Sequence, residues 1–385
     1  MTAELVIACL VLAVWIYLIA FRGAFWLMRE RDDVDEPSPP RAWPSVTAVI
    51  PARDEAKLLP KSLGSLLAQN YPGRFSIVLV DDQSSDGTGA IARSIAVGAR
   101  FEVGIVSGQA LPAAWTGKVW AMHQGVAHAE ARADQPEYLL LTDADIEYAP
   151  DALRRLAARA MARGLVLTSI MAKLNCESLA ERALIPAFVF FFRMLYPFSW
   201  VNSPAAKTAA AAGGCMLVDR RALQRAGGIG KIRSALIDDC ALSALLKTQG
   251  PIWLGLSESV RSLRAYPRSG SIRRMVARSA YAQLRFSPFF LIATIFAIIF
   301  AYLIPASFAL IGNFPANFLG LAAWALMALA YLPILQFYRI SPLWAVVLPA
   351  IAAAYAAFTL DSAYLHWRGR GGLWKGRSQA LAAKQ

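Results

Sequence analysis

The sequence is short of charge in two blocks, and this shortage is its first informative feature. Charged residues almost vanish between Leu5 and Phe21 and again between Pro288 and Tyr364, although they make up 17% of the 385 residues. An uninterrupted apolar run of about 17 to 25 residues can span the hydrocarbon layer of a membrane. The two gaps argue against a wholly soluble protein and predict a membrane protein with a soluble middle.

Cysteine is also scarce and follows no pattern. The four cysteines, Cys9, Cys176, Cys215 and Cys240, have neither a paired spacing nor the spacing of metal ligands. The sequence therefore indicates neither a disulfide framework nor a zinc site.

Acidic residues are missing from two basic clusters that flank the apolar blocks, and these clusters account for much of the net charge of +13. The first contains Arg261, Arg264, Arg268, Arg273, Arg274, Arg278 and Arg285, and the second contains Arg368, Arg370, Lys375 and Arg377. Such clusters favour the anionic cytoplasmic leaflet by about 1 kcal/mol per residue. No nucleic-acid module is recognisable, so a membrane is the predicted partner and nucleic acid is not.

The first apolar segment has no basic stretch before it and no small-x-small cleavage signal after it. We therefore expect an uncleaved anchor whose C-terminal end lies in the cytoplasm, where Arg22, Arg29 and Arg31 follow. The predicted domains are an anchor at 1–28, a linker at 29–45, a cytoplasmic domain at 46–285 with an aromatic interfacial segment near 183–201, a transmembrane region at 286–364, and a basic cytoplasmic tail at 365–385.

The C-terminal apolar block poses a problem of topology. It divides into three stretches, about Pro288 to Leu310, Phe318 to Phe337 and Leu343 to Leu360. Three full crossings would place the basic tail outside, against the positive-inside tendency. We therefore expect one stretch to be re-entrant or interfacial.

The middle of the chain alternates short β-branched runs with helical patterns, which predicts an α/β domain with a mostly parallel sheet. Strands are expected at 46–50, 76–80, 102–106, 138–142 and 166–170, and helices near 60–70, 88–96, 118–133 and 151–163. Ligands of such sheets bind outside the carboxyl ends of the strands, and the polar motifs of this chain fall at those ends.

Asp143 and Asp145 follow the apolar run Tyr138-Leu-Leu-Leu-Thr142. In an extended strand, residues two apart point to the same side, so both carboxylates can converge on one hard cation that also holds a diphosphate. The alternative is a surface turn with a helix cap, since Pro150-Asp151 opens the next helix.

Two further loops have a functional and an ordinary interpretation. Asp81-Asp-Gln-Ser-Ser-Asp-Gly-Thr88 can be only a turn, or Asp82 can accept hydrogen bonds from a nucleotide base or ribose. Pro51-Ala-Arg53-Asp54-Glu55 can be only a charged loop, or Glu55 or Asp54 can position the base.

Lys118 lies in the first turn of a predicted helix, where the macrodipole disfavours a cation unless an anion is near. This conflict favours a contact with a diphosphate over a solvated lysine.

Gly213 and Gly214 precede a predicted short strand and allow close approach of the backbone to a ligand. Asp238 and Asp239 begin another predicted helix, and in isolation are ordinary first-turn acids. Since a helix N-terminus keeps a carboxylate ionised, we expect Asp239 to act as a general base and Asp238 to lie beside it in the acceptor pocket.

The ordered set of motifs resembles the family 2 inverting glycosyltransferases of GT-A fold over about Val46 to Arg285. The matching pieces are Pro51-Ala-Arg-Asp-Glu55, Val80-Asp-Asp-Gln-Ser-Ser-Asp-Gly-Thr88, Gly117-Lys118, Asp143-Ala-Asp145, Gly213-Gly214 and Asp238-Asp239. Within that family the chain looks most like the hopene-associated glycosyltransferases, through 115–120, 183–192 and 209–218. Ceramide glucosyltransferases are similar in layout.

This resemblance implies a nucleotide-sugar donor, with Asp82 at the nucleoside, Asp143 and Asp145 at the ribose and a Mg²⁺ or Mn²⁺ ion, and Asp239 as the base of an inverting displacement. The implied donor-binding residues are Pro51, Arg53, Glu55, Asp82, Lys118, Asp143, Gly214, Arg278 and Arg285. The Gln/Arg-x-x-Arg-Trp signature is present only in altered form, so either Arg278 or Arg285 is expected to face the diphosphate. This departure makes processive polymer synthesis less favoured.

The sequence thus favours a membrane-bound lipid glycosyltransferase, active on a hopanoid-related acceptor at the cytoplasmic face of a bacterial inner membrane. A processive polysaccharide synthase is one alternative, although it needs a polar channel that about four short apolar segments hardly supply. A non-catalytic scaffold of a lipid-biosynthesis complex is another, although acids are retained at every expected site.

Overall fold

The chain divides into two units, which are described separately. A computed structural model of the protein describes residues 2–34, 37–375 and 377–378. The helical unit consists of the described residues of Met1–Arg29, Cys176–Ser199 and Tyr266–Gly372. The sheet unit consists of those of Glu30–Asn175, Trp200–Ala265 and Leu373–Gln385.

Ten strands are present among the described residues. They are β1 (Val46–Ala52), β2 (Phe75–Asp81), β3 (Glu102–Ser107), β4 (Tyr138–Thr142), β5 (Ile146–Tyr148), β6 (Leu167–Lys173), β7 (Cys215–Asp219), β8 (Ile252–Ser262), β9 (Leu373–Trp374) and β10 (Arg377–Ser378).

The helices are α1 (Ala3–Phe21), α2 (Leu59–Leu67), α3 (Thr88–Ala96), α4 (Gly117–Glu130), α5 (Ala152–Arg163), α6 (Leu179–Leu195), α7 (Phe198–Val201), α8 (Arg220–Arg225), α9 (Asp238–Lys247), α10 (Ser269–Ala277), α11 (Ala280–Gln283), α12 (Pro288–Ile298), α13 (Ile304–Ile311), α14 (Ala316–Phe337) and α15 (Leu348–Trp367). A π-helical segment, Ile299–Leu303, joins α12 to α13, and short 3₁₀ segments occupy Ile229–Ile232 and Pro342–Ala345.

The sheet unit is built on an eight-stranded mixed sheet in the order β3-β2-β1-β4-β7-β6-β8-β5. The first four strands in this order are parallel, whereas β7 runs antiparallel to both β4 and β6, and β5 runs antiparallel to β8. Every residue of β1 is buried, because β1 pairs on both edges and helices cover its faces. The predicted α/β class with a mostly parallel sheet is confirmed.

Each of the five predicted strands is present within a few residues of its expected limits, and so are the four predicted helices. The strands β5 and β8 were not expected. β8 is eleven residues long but contains Gly255, Ser257 and Glu258, which weaken its strand signal. Its place in the sheet comes from pairing with β6 and β5, which are distant in the sequence.

Helix α4 lies directly on the sheet because of one glycine. A Cβ atom on Gly125 would collide with the side chain of Val49 in β1 and approach Val80 in β2 to 3.0 Å. The missing side chain therefore lets the backbone of α4 approach the two strands closely. This contact sets the height of α4, and with it the height of Lys118, above the sheet.

The predicted linker at 29–45 is partly joined to the sheet unit. The Asp32 N–H donates to Leu256 O at 3.0 Å, and Leu256 N–H donates to Glu30 O at 2.9 Å. The buried Asp32 carboxylate accepts a hydrogen bond from the hydroxyl of Ser257 at 2.7 Å. Main-chain pairing with β8 therefore holds the first residues after the helical unit in place.

The helical unit contains the apolar segments. Among the described residues, four helical segments are long and apolar enough to cross a membrane, namely Ala3–Phe21, Pro288–Ile311, Ala316–Phe337 and Leu348–Trp367. They correspond to the predicted anchor and to the three predicted C-terminal stretches. The last helix continues to Trp367, beyond the expected start of the tail at 365, and residues 376 and 379–385 of that tail lie outside the described residues.

The predicted aromatic interfacial segment near 183–201 comprises most of α6 and the short helix α7. A capping box begins this helix, in which Glu181 N–H donates to Ser178 Oγ at 3.2 Å and Ser178 N–H donates to Glu181 Oε2 at 2.9 Å. Arg193 is fully buried and donates from Nε to Phe25 O at 2.8 Å, with its guanidinium over the Phe198 ring at 4.4 Å. An arginine inside this aromatic run is thus bound to main-chain carbonyl groups, and an interfacial role for the segment remains a prediction.

The close contact between α4 and the sheet can be tested with a pair of glycine substitutions. Gly125→Ala should destabilise the protein by about 1 to 3 kcal/mol, because the new methyl group has no space between α4 and the sheet. Gly64→Ala in α2 should be neutral or stabilising by up to about 1 kcal/mol, since nothing lies within 4 Å of its Cβ position. Thermal unfolding of the purified variants in detergent measures both, and equal melting temperatures would contradict the close contact.

Candidate active site at the carboxyl edge of the sheet

The loops that follow β1 and β2 are hydrogen-bonded into one structure. Arg53 donates to Asp82 O at 2.6 Å, and Glu55 N–H donates to Thr88 Oγ1 at 2.8 Å. Asp54 Oδ1 accepts from the N–H of Ser85 at 2.8 Å. The predicted meeting of these two loops at one edge of the sheet is therefore present in the structure.

The side chain of Asp82 lies beneath these loops with no exposed surface. Its carboxylate is 3.8 Å from the guanidinium of Arg53, and its N–H donates to Ala52 O at 2.8 Å. Pro51 occupies a buried position in β1. Both residues are at the predicted edge, and their roles in binding a nucleotide remain predictions.

The loop after β4 differs from the expectation. Asp143 and Asp145 do not lie in an extended strand, because β4 ends at Thr142 and the chain turns before β5 begins at Ile146. The rule that residues two apart share one side of a strand therefore does not apply to them. The carboxylates are bound to two different cationic side chains.

Arg264 binds two of the carboxylates at this edge of the sheet, those of Asp145 and Glu55. Its Nε donates to Asp145 Oδ2 at 2.7 Å, and its terminal nitrogen donates to Glu55 Oε1 at 2.5 Å. Lys375 Nζ lies 2.7 Å from the same Glu55 oxygen. Glu55 is only 8% exposed, and burial raises its pKa even though Lys375 and Arg264 oppose the rise.

Lys118 binds two further carboxylates, those of Asp143 and Asp238. Its Nζ lies 2.9 Å from Asp143 Oδ1 and 3.1 Å from Asp238 Oδ2. Burial alone would lower the pKa of this amine, but Asp143, Asp238 and Asp239 together raise it, so Lys118 is a permanent cation. The expectation that an anion lies near Lys118 is met by the protein's own carboxylates.

Asp238 retains unused hydrogen-bonding capacity. Its buried Oδ2 accepts no aligned hydrogen bond from the described residues, although Lys118 lies close enough for an ion pair. A buried oxygen without a donor is costly unless a ligand or water supplies one. The ion pair with Lys118 compensates the charge of this oxygen, and its remaining lone pair can accept a hydrogen bond from a ligand or water.

Asp239 is held at the start of α9 by two main-chain groups. Its Oδ2 accepts from Gly213 N–H at 2.9 Å, and its Oδ1 accepts from Cys240 N–H at 2.7 Å. Withdrawal from water and the neighbouring charge of Asp238 raise its pKa to about 6, although Lys118 opposes the rise. A carboxylate with this pKa is ionised at neutral pH and can accept a proton.

Gly213 and Gly214 fit closely beside these acids. A Cβ atom on Gly213 would lie 3.0 Å from Lys118 Nζ and 3.4 Å from Asp239 Oδ2. The carbonyl oxygen of Gly214 accepts from Thr142 Oγ1 at 2.8 Å and from the hydroxyl of Tyr148 at 3.3 Å. Gly213 thus allows a close approach of the backbone to Lys118 and Asp239, whereas a Cβ atom on Gly214 would meet Ile146 at 3.0 Å.

Two cations were not expected in this position. The sequence places Arg264 and Lys375 in the basic clusters that adjoin the apolar segments, yet in the structure both bind Glu55. The signal for Arg264 was its position just after β8, which pairs with β5 and so lies beside Asp145; without knowledge of β8 it could not be read. Arg278 and Arg285, the expected diphosphate ligands, belong to the helical unit, and their role remains a prediction.

Asp143 and Asp145 provide two of the oxygen ligands that a divalent ion needs, but not a complete site. The described residues contain no group of three or more His, Cys, Asp or Glu side chains that could hold a metal ion. Burial raises the pKa of Asp143; Lys118 opposes this rise, and the charge of the nearby Asp145 adds to it. Mg²⁺ commonly binds one or two carboxylates and takes its other oxygens from substrate phosphates and water, so this pair fits such an ion once a diphosphate is present.

Comparisons with known proteins find similarity to glycosyltransferases over part of the chain. The profile of the family described as Glycosyl transferase family 2 matches residues 47–227. The 4,4'-diaponeurosporenoate glycosyltransferase of Staphylococcus haemolyticus (strain JCSC1435) is 35% identical over 126 residues, which are 32% of this chain and 31% of that protein. The enzyme of the same name from Staphylococcus aureus (strain MRSA252) is 31% identical over 117 residues, which are 30% and 27% of the two chains.

The matched segment therefore spans about a third of the length of these curated relatives. Among solved structures, the mannosyltransferase PcManGT from Pyrobaculum calidifontis, solved with GDP-Man and Mn²⁺, has a TM-score of 0.55 and 20% identity. That alignment covers 92% of this chain and 98% of the other, and it shows the shared fold. The family match and the relatives together support a transferase enzyme.

The competition between Arg264 and a metal ion can be measured. Arg264→Gln should tighten the binding of Mn²⁺ without nucleotide by about tenfold, or about 1.4 kcal/mol, because a competing cation is removed from Asp145 and Glu55. The free Mn²⁺ signal in electron paramagnetic resonance reports the affinity. Arg74→Gln, which removes an exposed ion pair to Asp134, is the control and should change nothing. Equal Mn²⁺ affinity in the wild type and Arg264→Gln would show that Arg264 does not compete with the ion.

Proposed function

We propose that this chain, whose residues 47–227 form a glycosyl transferase family 2 domain, is a membrane-bound inverting glycosyltransferase. It would transfer a sugar from a nucleotide-diphosphate donor to a lipid acceptor. The observation that carries the proposal is Asp239, a carboxylate fixed by Gly213 and Cys240 beside the Lys118 cluster. The arrangement supplies one ionisable base next to a group of charges suited to a diphosphate.

In the proposed reaction, Asp239 accepts the proton of an acceptor hydroxyl. The hydroxyl oxygen forms a bond to C1 of the sugar while the bond between C1 and the diphosphate oxygen breaks. The electron pair leaves with the nucleoside diphosphate, and the configuration at C1 inverts in this single displacement. Asp238, which neighbours the base, has an oxygen available to orient the acceptor.

The cations of the site would serve the leaving group. Lys118 and Arg264 are already held at the edge of the sheet, so they need little reorganisation to contact a diphosphate. Asp143 and Asp145 would hold Mg²⁺ or Mn²⁺, which supplies further positive charge to the diphosphate when bound. Asp82, Arg53 and Glu55 are proposed to contact the nucleoside end of the donor, from the loops that follow β1 and β2.

The apolar helices support a location in the membrane and an acceptor drawn from it. In the part of the chain that the structure describes, four segments are long and apolar enough to cross a bilayer, and basic residues adjoin them. By the positive-inside tendency, we place the catalytic residues on the cytoplasmic side of a bacterial inner membrane. A processive synthase is less supported, because the altered arginine motif at Arg278 and Arg285 departs from that class.

The acceptor could carry either a hydroxyl or a carboxylate, and the presence of Asp239 as a base bears on this choice. The resemblance in the motifs favours a hopanoid-related hydroxyl, whereas the named relatives act on diaponeurosporenoate, a lipid-like carotenoid acid. An ionised carboxylate can attack without losing a proton, but a hydroxyl needs a base. The ordered position of Asp239 therefore favours a hydroxyl acceptor, and a carotenoid acid is the second candidate.

The role of Asp239 can be tested by removing its charge. Asp239→Asn should lower the transfer rate by about 10² to 10⁴ while the donor still binds, because only the proton acceptor is lost. Transfer is measured on membrane lipid extracts, and donor binding by calorimetry. Asp134→Asn, an exposed acid at the opposite end of β4, should remain active. Full activity of Asp239→Asn would remove it from the mechanism and would favour a carboxylate acceptor.

The pH dependence gives a second test. The raised pKa of Asp239, about 6, means that the base becomes protonated and inactive as the pH falls below that value. kcat/KM should therefore fall about tenfold per pH unit below pH 6. Asp238→Asn should move this decline to lower pH, because the charge of Asp238 helps to raise the pKa of Asp239. A decline that stays in place in Asp238→Asn would contradict the assignment.

A further inference from the structure

The C-terminal segment returns to the candidate active site after the last apolar helix. β9 and β10 form an antiparallel hairpin, and Lys375 lies in its turn with a φ of 47°. Lys375 Nζ lies 2.7 Å from Glu55 Oε1 and donates to Asp54 O at 3.1 Å. In return, Arg53 Nε donates to Lys375 O at 3.4 Å. Three successive residues of the loop after β1 are thus bound to one residue of the hairpin.

This return constrains the path through the membrane. The chain leaves the sheet unit after Ala265 and enters it again at Leu373, so both points lie on the same side. Three segments long enough to cross lie between these points, at 288–311, 316–337 and 348–367. An even number of crossings is required, so one of the three does not cross.

Contacts within the helical unit identify the first two as a crossing pair. Asn313 N–H, just after α13, donates to Glu4 Oε1 at the start of α1 at 3.1 Å. Trp15 Nε1, lower in α1, donates to Ala301 O at 2.7 Å. The segment 288–311 therefore runs antiparallel to α1 over its length. After the short turn that follows, α14 runs back toward the level at which α12 began.

The chain does not stay at that level after α14 ends. Trp324 Nε1 donates to Val346 O at 3.0 Å, and Trp324 lies about 20 Å of helix before the end of α14 at Phe337. The segment from Tyr338 to Val346 therefore runs antiparallel to α14 and returns about 20 Å along it, a distance that nine residues can span. As a result, α15 begins beside the middle of α14.

The other end of α15 lies where α12 begins. Ser362 Oγ donates to Ala277 O at 2.5 Å, and the His366 ring stacks on Phe286 with centroids 4.4 Å apart. Phe286 comes just before α12, which starts at Pro288. Helix α15 therefore starts inside the apolar layer and leaves it on the side from which α12 entered.

We propose that residues 338–367 form a re-entrant hairpin, which returns the chain to the catalytic side of the membrane and there places Lys375 on Glu55 as a positioning residue of the donor site. The role of Lys375 rests on the proposed function, whereas the path of the chain does not. Lys375 would hold the loop after β1 in the geometry that binds the nucleotide, while Arg264 connects that loop to Asp145.

The path of the chain can be tested by labelling the full-length protein in sealed vesicles. Asn313→Cys should react with a membrane-impermeant maleimide only from the side opposite the catalytic residues, whereas Ser341→Cys and Arg370→Cys should react only from the catalytic side. Labelling is measured above that of the parent chain. Reaction of Arg370→Cys from the opposite side would overturn the re-entrant path.

The depth of the hairpin has its own measurement. A spin label on Val347→Cys, at a half-exposed position just before α15, should be relaxed by oxygen dissolved in the lipid and hardly by an aqueous nickel chelate. Equal relaxation by the nickel chelate would place the segment in water and contradict the re-entrant path.

The role of Lys375 is tested by kinetics. Lys375→Met should raise the KM for the nucleotide sugar about tenfold with little change in kcat, and Lys375→Arg should restore most of the loss. Lys61→Met, which removes an exposed lysine paired with Glu147, should leave both constants unchanged. A loss of kcat without a change in KM, or no rescue by arginine, would overturn the positioning role. Because the labelling needs no activity, it separates a failure of this proposal from a failure of the proposed transferase function.

Discussion

The structure of the site depends on charge compensation at the carboxyl edge of the sheet. Glu55, Asp143, Asp145 and Asp238 lie close together, where their mutual repulsion would be severe without Lys118, Arg264 and Lys375. Removing one partner of a buried ion pair is costly because the other charge is left without compensation. The protein's own cations therefore allow these carboxyl groups to lie close together at one edge of the sheet, where a metal ion and a diphosphate would bind.

The same compensation explains why Asp239 differs from its neighbours. It receives two main-chain hydrogen bonds and has no ion pair of its own among the described residues. Asp143, by contrast, is paired directly with Lys118. An acid held by neutral donors in a crowded site keeps a raised pKa and can exchange protons near neutral pH. Burial raises the pKa of both Asp143 and Asp239, so the difference between them lies in their partners: a cation holds Asp143, whereas neutral main-chain donors hold Asp239.

Much of this arrangement could be predicted from the sequence, because parallel strands bring their carboxyl ends together wherever the connecting helices lie. That rule placed Glu55, Asp82 and the Asp143-Ala-Asp145 loop at one edge without any knowledge of distances. The alternation of side chains along a strand failed for Asp143 and Asp145, since β4 ends at Thr142 and both residues lie in the turn before β5. The rule for parallel strands also missed Arg264, which follows a strand paired with the distant β5, and Lys375, whose side chain meets Glu55 more than 300 residues away in the sequence. Local patterns contain no trace of such contacts.

One glycine has an effect well beyond its own contacts. Gly125 and Lys118 are seven residues apart on α4, two helical turns along the same face. With no side chain between Gly125 and the strands beneath it, the main chain itself fixes how far the amine of Lys118 stands from Asp143 and Asp238. The distance between the Lys118 amine and its carboxylates is therefore set by a residue some 10 Å away along the helix. Any side chain at position 125 would move α4 away from the sheet and with it the amine away from Asp143 and Asp238.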